Sequence, residues 1–289
     1  MTNTSSTILG RLEVGISFQF HSFVQIFSLR GFTPTWLWKC SGGGWLLLEP
    51  EIFRVSFEEL KRVWRGVEKL SSILVGGWAT YLLINDIFKR ERKRDYVGSK
   101  DIDIAVLSSD LLKAFEIAER LGFFPLSFRY CKIYARSEKR FINESEAKNY
   151  PIHELFYLFL DFITDRRPDV KMTVFEEDLI GFAFENGLFL KRKGFRVVAP
   201  ELLVLSKMRM LPERDEEKRL KDMLDASMVF TFYEGFEIRL FRELGKRFRF
   251  DKDLAKKELK RARESLSLLG FSGAETTNIL ASFGSLLEQ

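Results

Sequence analysis

Stretches whose apolar residues recur every three or four positions alternate along this chain with short runs of branched and aromatic residues. Residues 56–70, SFEELKRVWRGVEKL, carry the helical period, with Ser56 as the expected N-cap and Glu58 or Glu59 in the first turn. Residues 71–77, SSILVGG, read as a short buried strand closed by a glycine pair, and residues 78–94, WATYLLINDIFKRERKR, as a helix with a strongly basic end. DIDIAV predicts a strand. An amphipathic helix over 108–123 follows it, stopped at Gly122. FPLSFRYCKIYARS predicts one or two strands, residues 154–164 (ELFYLFLDFIT) a β-favouring run, and KMTVFE and FRVVAP two more. Pro200 opens a helix at a position that tolerates proline. ERDEEKRLKDMLDASMVF is the next helix, and three helical stretches rich in Lys, Arg and Leu follow Glu234. No repeat interrupts this order. The expected fold class is α+β, with a head over residues 55–199 and a helical C-terminal region over 200–289. Residues 1–54, rich in Ser, Gly, Phe and Trp, read as an N-terminal extension that says nothing about function.

Composition narrows the chemistry. The 289 residues are 46% hydrophobic and 30% charged, the profile of a soluble globular protein. A net charge of +5 and a pI near 9.1 permit an anionic partner without demanding one. Cys40 and Cys131 make no disulfide framework or zinc motif, and the expected compartment is the cytoplasm. No apolar run is long enough to span a bilayer, so no membrane partner is expected. With His21 and His153 as the whole histidine complement, carboxylates and lysines must carry any reaction.

Four places could do so. In GSKDIDIAV, Asp101 and Asp103 share one face of a strand while Ile102 and Ile104 point into a core. Adjacent carboxylates repel unless a proton or cation intervenes, and a hard divalent ion is the usual resolution. In LVGGWATYLL, Gly76 and Gly77 lie between strand and helix, where backbone can approach a ligand and helix N–H groups can meet a phosphate; the same pair also suits a plain tight turn. Asp161 is the sole charge in the second half of the 154–164 run, where an unpaired carboxylate is costly to bury. It is either a solvent-facing strand end or, beside DIDIAV, a third oxygen ligand or a base. Asp165 and Asp169 are weaker loop candidates. Lys207 falls among Leu203, Val204, Met208 and Leu211, either snorkelling or aimed at an anion. Lys221, Asp222 and Asp225 follow on the next helix, the two aspartates on one face.

In order and spacing, Gly76, Gly77 and Ala79, then Ser99, Asp101 and Asp103, then Pro200, Glu201 and Lys207, then Lys221, Asp222 and Asp225 resemble the motifs of the nucleotidyltransferase superfamily. That superfamily has the DNA polymerase β-like fold, and the pattern is that of its AbiEii-type branch of abortive-infection and toxin–antitoxin proteins. The resemblance implies a mixed sheet with flanking helices. It implies Mg²⁺ (or Mn²⁺) on Asp101 and Asp103 with Asp161 as third ligand, and an NTP bound by Gly76, Gly77, Ser99, Lys207 and Lys221. Asp101, Asp103, Asp161, Lys207 and Asp222 would be catalytic, with Asp225 the alternative late carboxylate. The acceptor would be an RNA, tRNA among them, or a protein, and a cognate antitoxin protein would be the partner. Where the branch has an arginine before the first aspartate this chain has Val97, with Arg92 and Arg94 nearby; the arginine after the helix lysine corresponds to Arg209 or Arg214. A small-molecule nucleotidyltransferase, or a non-catalytic subunit that binds nucleotide or RNA, remains an alternative. The basic stretches 89–95 and 246–263 suit either an ion-paired solvated face or contact with RNA phosphates.

Overall fold

The structure, a computed structural model, describes residues 48–166 and 174–288. Most of the expected N-terminal extension, together with Asp169 and residues 171–173 of KMTVFE, lies outside the described residues. The first helix, α1, spans Pro50–Val67, with proline in its first turn, and buries Leu60, Val63, Trp64 and Val67 along one face. It therefore starts earlier than the sequence suggested, and Ser56 is not its cap. Ser56 lies in the helix interior, where its hydroxyl donates to the Lys100 carbonyl at 3.1 Å and accepts from Trp78 Nε1 at 3.3 Å. That bond ties α1 to the backbone just before Asp101.

The order then runs β1 (Ser72–Leu74), α2 (Gly76–Arg92), β2 (Ile102–Val106), α3 (Leu111–Arg120), β3 (Phe124–Leu126), β4 (Arg129–Ala135), β5 (Arg140–Ile142), α4 (Glu144–Ala147) and β6 (Leu155–Thr164). After it come β7 (Phe175–Glu176), α5 (Asp178–Glu185), β8 (Phe189–Arg192) and β9 (Phe195–Val198). Helices alone follow: α6 (Pro200–Arg209), α7 (Glu216–Phe232), α8 (Ile238–Arg247), α9 (Lys252–Leu268) and α10 (Gly273–Glu288). The β5 strand, α4, α5 and β8 were not anticipated. β8 pairs with β9 through Lys193 and Gly194, both at positive φ, as a two-residue hairpin turn requires.

The strands form one mixed sheet in the order β3-β4-β6-β2-β1-β9-β8, with β5 added to β4 and β7 to β6. β2 runs parallel to β6 and antiparallel to β1, and β4 runs antiparallel to β6. The fold is thus the expected α+β mixed sheet with flanking helices and a helical C-terminal region. Alternation along the central strands gives the sheet two unlike faces. Ile102, Ile104, Leu158, Leu160 and Phe162 are buried on one, where Phe115 of α3 packs against Tyr130 and Phe162. The opposite face carries Asp103, Asp161 and Arg129 side by side. Among the described residues no helix is long and apolar enough to cross a membrane.

Candidate active site

Register brings the acidic residues together. Asp103 on β2 stands directly beside Asp161 on β6 in the parallel pair, and Arg129 begins β4 on the other flank of β6. Asp101 is not inside the strand, as DIDIAV suggested, but in the bend one residue before it. Its backbone N–H donates to Ser99 Oγ at 3.3 Å, so a local side chain fixes the approach to β2.

Arg129 had no signal in the sequence and is the centre of this face. Its Nε and Nη2 donate to Asp161 Oδ1 and Oδ2 at 2.6 and 2.7 Å, and Nη2 also reaches Asp101 Oδ2 at 3.2 Å. The guanidinium lies over the Phe159 ring, 4.1 Å from its centroid. Burial opposes its charge, but the bonds to Asp161 and the charges of Asp101, Asp161 and Asp103 outweigh burial and hold it protonated. The effect on the acids is uneven. Burial pushes the Asp103 carboxyl up to about 7, the charges of Asp161 and Asp101 adding to the rise and Arg129 and Arg214 opposing it. Asp161 is also raised by burial, against the pull of Arg129.

The donor set fits a hard divalent ion. Asp103 makes no side-chain bond to Arg129, and Asp101 Oδ1 is buried without a hydrogen-bond partner. Asp161 differs from expectation: it stands beside Asp103, but both its oxygens accept from Arg129. Accordingly, among the described residues no three His, Cys, Asp or Glu side chains converge as a ready metal cage.

The glycine turn closes the other side. Gly76 has a φ of +66°, and a Cβ there would come within 2.0 Å of Asp103 Oδ2. At Gly77 a Cβ would meet Ser99 Oγ at 3.0 Å and Lys221 Nζ at 3.5 Å. Only glycine lets this turn lie against both aspartate and serine. Gly76→Ala is expected to cost about 2 kcal/mol or more in stability, from left-handed strain plus the clash, and to displace Asp103. Thermal melting and transfer activity, measured together, check it; a variant as stable and active as the parent would contradict this packing.

A second network adjoins the turn. Lys207, 7% exposed, donates to Asp222 Oδ1 and Asp225 Oδ2, each at 2.8 Å. Lys221 reaches Asp225 Oδ2 at 2.9 Å, and the Tyr96 hydroxyl donates to Asp225 Oδ1 at 2.8 Å. Burial disfavours charge on both Lys207 and Asp225, yet their attraction wins: Lys207 is held protonated and Asp225 is lowered to about 2. The Lys207 ammonium therefore faces carboxylates inside the protein, neither snorkelling nor open to an anion. Lys221 lies at the edge of the glycine turn, and Arg214 Nε lies 3.5 Å from Asp222 Oδ2. Arg214 also lies close enough to Asp103 and Asp161 for its charge to oppose the rise of both.

Several expected participants lie elsewhere. Arg92 pairs with Glu275 at 2.7 Å and stacks on Phe271, and Arg94 donates to the Leu268 carbonyl, so both are engaged with the C-terminal helical region. Arg209 pairs with Asp178 at 2.6 Å, while Arg214 lies beside Asp222. Glu201, buried in α6, accepts the Glu237 N–H at 2.6 Å at the entrance to α8. Asp165 accepts the Ser108 N–H at 2.7 Å and so closes a loop.

No protein-family model matches the chain, and no curated protein sequence matches it. Among solved structures, it is similar to JHP933 from Helicobacter pylori at 16% identity, covering 84% of this chain and 92% of that one, with a TM-score of 0.42. It is similar to the antibiotic-resistance factor ANT(2'')-Ia at 12% identity, over 68% of this chain and 93% of that one, with a TM-score of 0.35. Against the Megavirus polyadenylate synthase the values are 16% identity, 81% of this chain and a TM-score of 0.34; the chain spans 41% of that protein's length. Likeness at this level leaves the chemistry to be settled by the side chains themselves.

Proposed function

We propose that this protein is a divalent-metal-dependent nucleotidyltransferase that moves a nucleoside monophosphate from an NTP to an acceptor hydroxyl. The observation that carries the proposal is the packing of the Gly76–Gly77 turn against Asp103 and Ser99, with Asp161 and Asp101 alongside. Transfer at phosphorus asks little covalent chemistry of a protein. It asks for charge neutralisation and in-line positioning. Asp101 and Asp103 would hold Mg²⁺ or Mn²⁺, which supplies Lewis-acid polarisation of the phosphates when bound. Gly77, Ser99 Oγ and Lys221 Nζ lie close together at the turn and would suit the triphosphate, with Arg214 the further phosphate cation. The Lys207–Asp222–Asp225 network positions Lys221 instead of meeting phosphate directly.

An RNA, tRNA included, or a protein is the acceptor class that suits the AbiEii-like motif order, and a toxin role with an antitoxin partner goes with it. α9 carries most of the 246–263 basic stretch and is tied to α7 by Arg261 to Glu216 and by Glu258 to Arg219, while Arg261 also pairs with Glu258 within α9. Part of that charge is therefore engaged within the fold, and part is left to meet a polyanion.

The test is transfer of label from each [α-³²P]NTP, with Mg²⁺, to total RNA and to cell extract, beside an Asp101→Ala/Asp103→Ala control. Label on an RNA or protein band that vanishes in the control is the expected result. Absence of both transfer and NTP-dependent stabilisation, with every nucleotide tried, would reject catalysis.

A further inference from the structure

We propose that Arg129 is a resident cation that opposes binding of the divalent ion at Asp101 and Asp103, its longer contact to Asp101 being the one that yields when metal binds. The proposal rests on the metal-dependent reading above and concerns what governs occupancy of that site.

Three observations carry it. First, a single guanidinium bridges two of the three clustered carboxylates, with a two-pronged grip on Asp161 at 2.6 and 2.7 Å and a longer contact to Asp101 at 3.2 Å. The fork is the stronger attachment, because planar bidentate geometry suits a carboxylate, and the single longer arm is the one that gives way. Second, Arg129 is held where it is. It opens β4 just after Ser127, a turn residue at φ +60°, and its guanidinium rests on Phe159. It stands opposite Asp161 across the strand pair. A side chain so placed does not drift into solvent when a second cation arrives. Third, the bridge leaves an asymmetric remainder: Asp101 Oδ1 is buried without a partner, and Asp103 is beyond the fork. Those oxygens can receive a cation, and that cation must then lie close to a fixed positive charge. Like charges at such range in a partly buried site oppose one another strongly.

Arg129 thus serves two purposes. Without metal it partly neutralises Asp101 and Asp161, the two carboxylates that accept its hydrogen bonds. With metal it lowers affinity, which keeps the ion exchangeable.

The experiment is a Mn²⁺ titration of the purified full chain, followed by the electron paramagnetic resonance signal of free Mn²⁺, for the parent, Arg129→Gln, Arg129→Lys and Asp103→Asn. Arg129→Gln is expected to bind Mn²⁺ about tenfold tighter. It should melt below the parent without metal and gain more in Tm from saturating Mn²⁺. Arg129→Lys keeps the charge and loses the fork, so its affinity should fall between the two; it decides the matter if Arg129→Gln does not fold. Asp103→Asn should lose binding. Arginine variants that bind no tighter than a parent whose binding depends on Asp103 would overturn the competition and leave the metal site standing. A parent that binds no Mn²⁺ overturns the metal site and this proposal with it.

Discussion

Asp103→Asn is expected to abolish nucleotidyl transfer, by about 10³-fold or more, while leaving the metal-free protein at least as stable as the parent at neutral pH. The two halves of this result have one cause. Asp103 lies between the glycine turn and Asp161, where burial and two neighbouring carboxylates raise its carboxyl to about 7. An anion is uncomfortable there without a cation, so a neutral amide of the same shape relieves the repulsion and removes the ligand together. The parent should show the matching pH dependence. A group raised in the folded state stabilises it most when protonated. The Asp103 contribution is therefore full below the ordinary carboxylate range, near pH 4, and is lost as pH rises through about 7. The asparagine variant should lack that slope. Asp225 works in the opposite sense and in another window: lowered to about 2, it contributes above pH 4 and its contribution is lost toward pH 2. Melting curves at pH 5 and pH 8, both above the window of Asp225, isolate the Asp103 contribution in parent and variant, and transfer assays at each pH follow the activity. An inactive variant that is also much less stable at pH 8 would mean that Asp103 has a structural bond not accounted for by this geometry.

Much of this site was legible because its signals are local. Two glycines between a buried triplet and a helix, and a carboxylate on either side of an isoleucine, are written within a few residues, and the side-chain period places Asp103 on one face whatever else the chain does. Asp161 was legible through cost alone, a single charge among aromatics. What a single sequence does not carry is register across distant segments. Arg129 sits in an unremarkable FRYCK, and only the antiparallel pairing of β4 with β6 puts it opposite Asp161. Lys207 illustrates the converse. Its helical spacing marked it as turned inward, but its partners come from the next helix, whose crossing decides between a phosphate and two carboxylates. The early start of α1 was hidden because Ser56 is a good cap residue that here bonds to the Lys100 carbonyl from mid-helix. The β8 strand was hidden by its turn, since Lys193 adopts a left-handed conformation usually taken by Asn or Gly.

The two lysines that bracket Asp225 are expected to separate stability from nucleotide binding. In Lys207→Met, Asp225, 1% exposed, keeps Lys221 and Tyr96 but loses its buried counter-ion, and Asp222 keeps only the longer contact to Arg214. Removing one partner of a buried pair costs up to about 3–5 kcal/mol, a cost that Lys221, Tyr96 and Arg214 offset in part, and any fall in transfer should follow the fraction folded. Lys221→Met removes a side chain that is about one-third exposed and leaves the Lys207 pair in place. Its stability cost should stay below about 1 kcal/mol, while loss of a cation at the Gly77–Ser99 edge should raise KM for the NTP by about tenfold. Urea denaturation and NTP-dependent rates, measured on both variants at the same pH, give the comparison. If Lys207→Met is stable and fails only in NTP binding, its ammonium must leave the carboxylates to meet the triphosphate. The network around Asp225 would then be a rearranging part of the active site instead of the fixed support on which Lys221 stands.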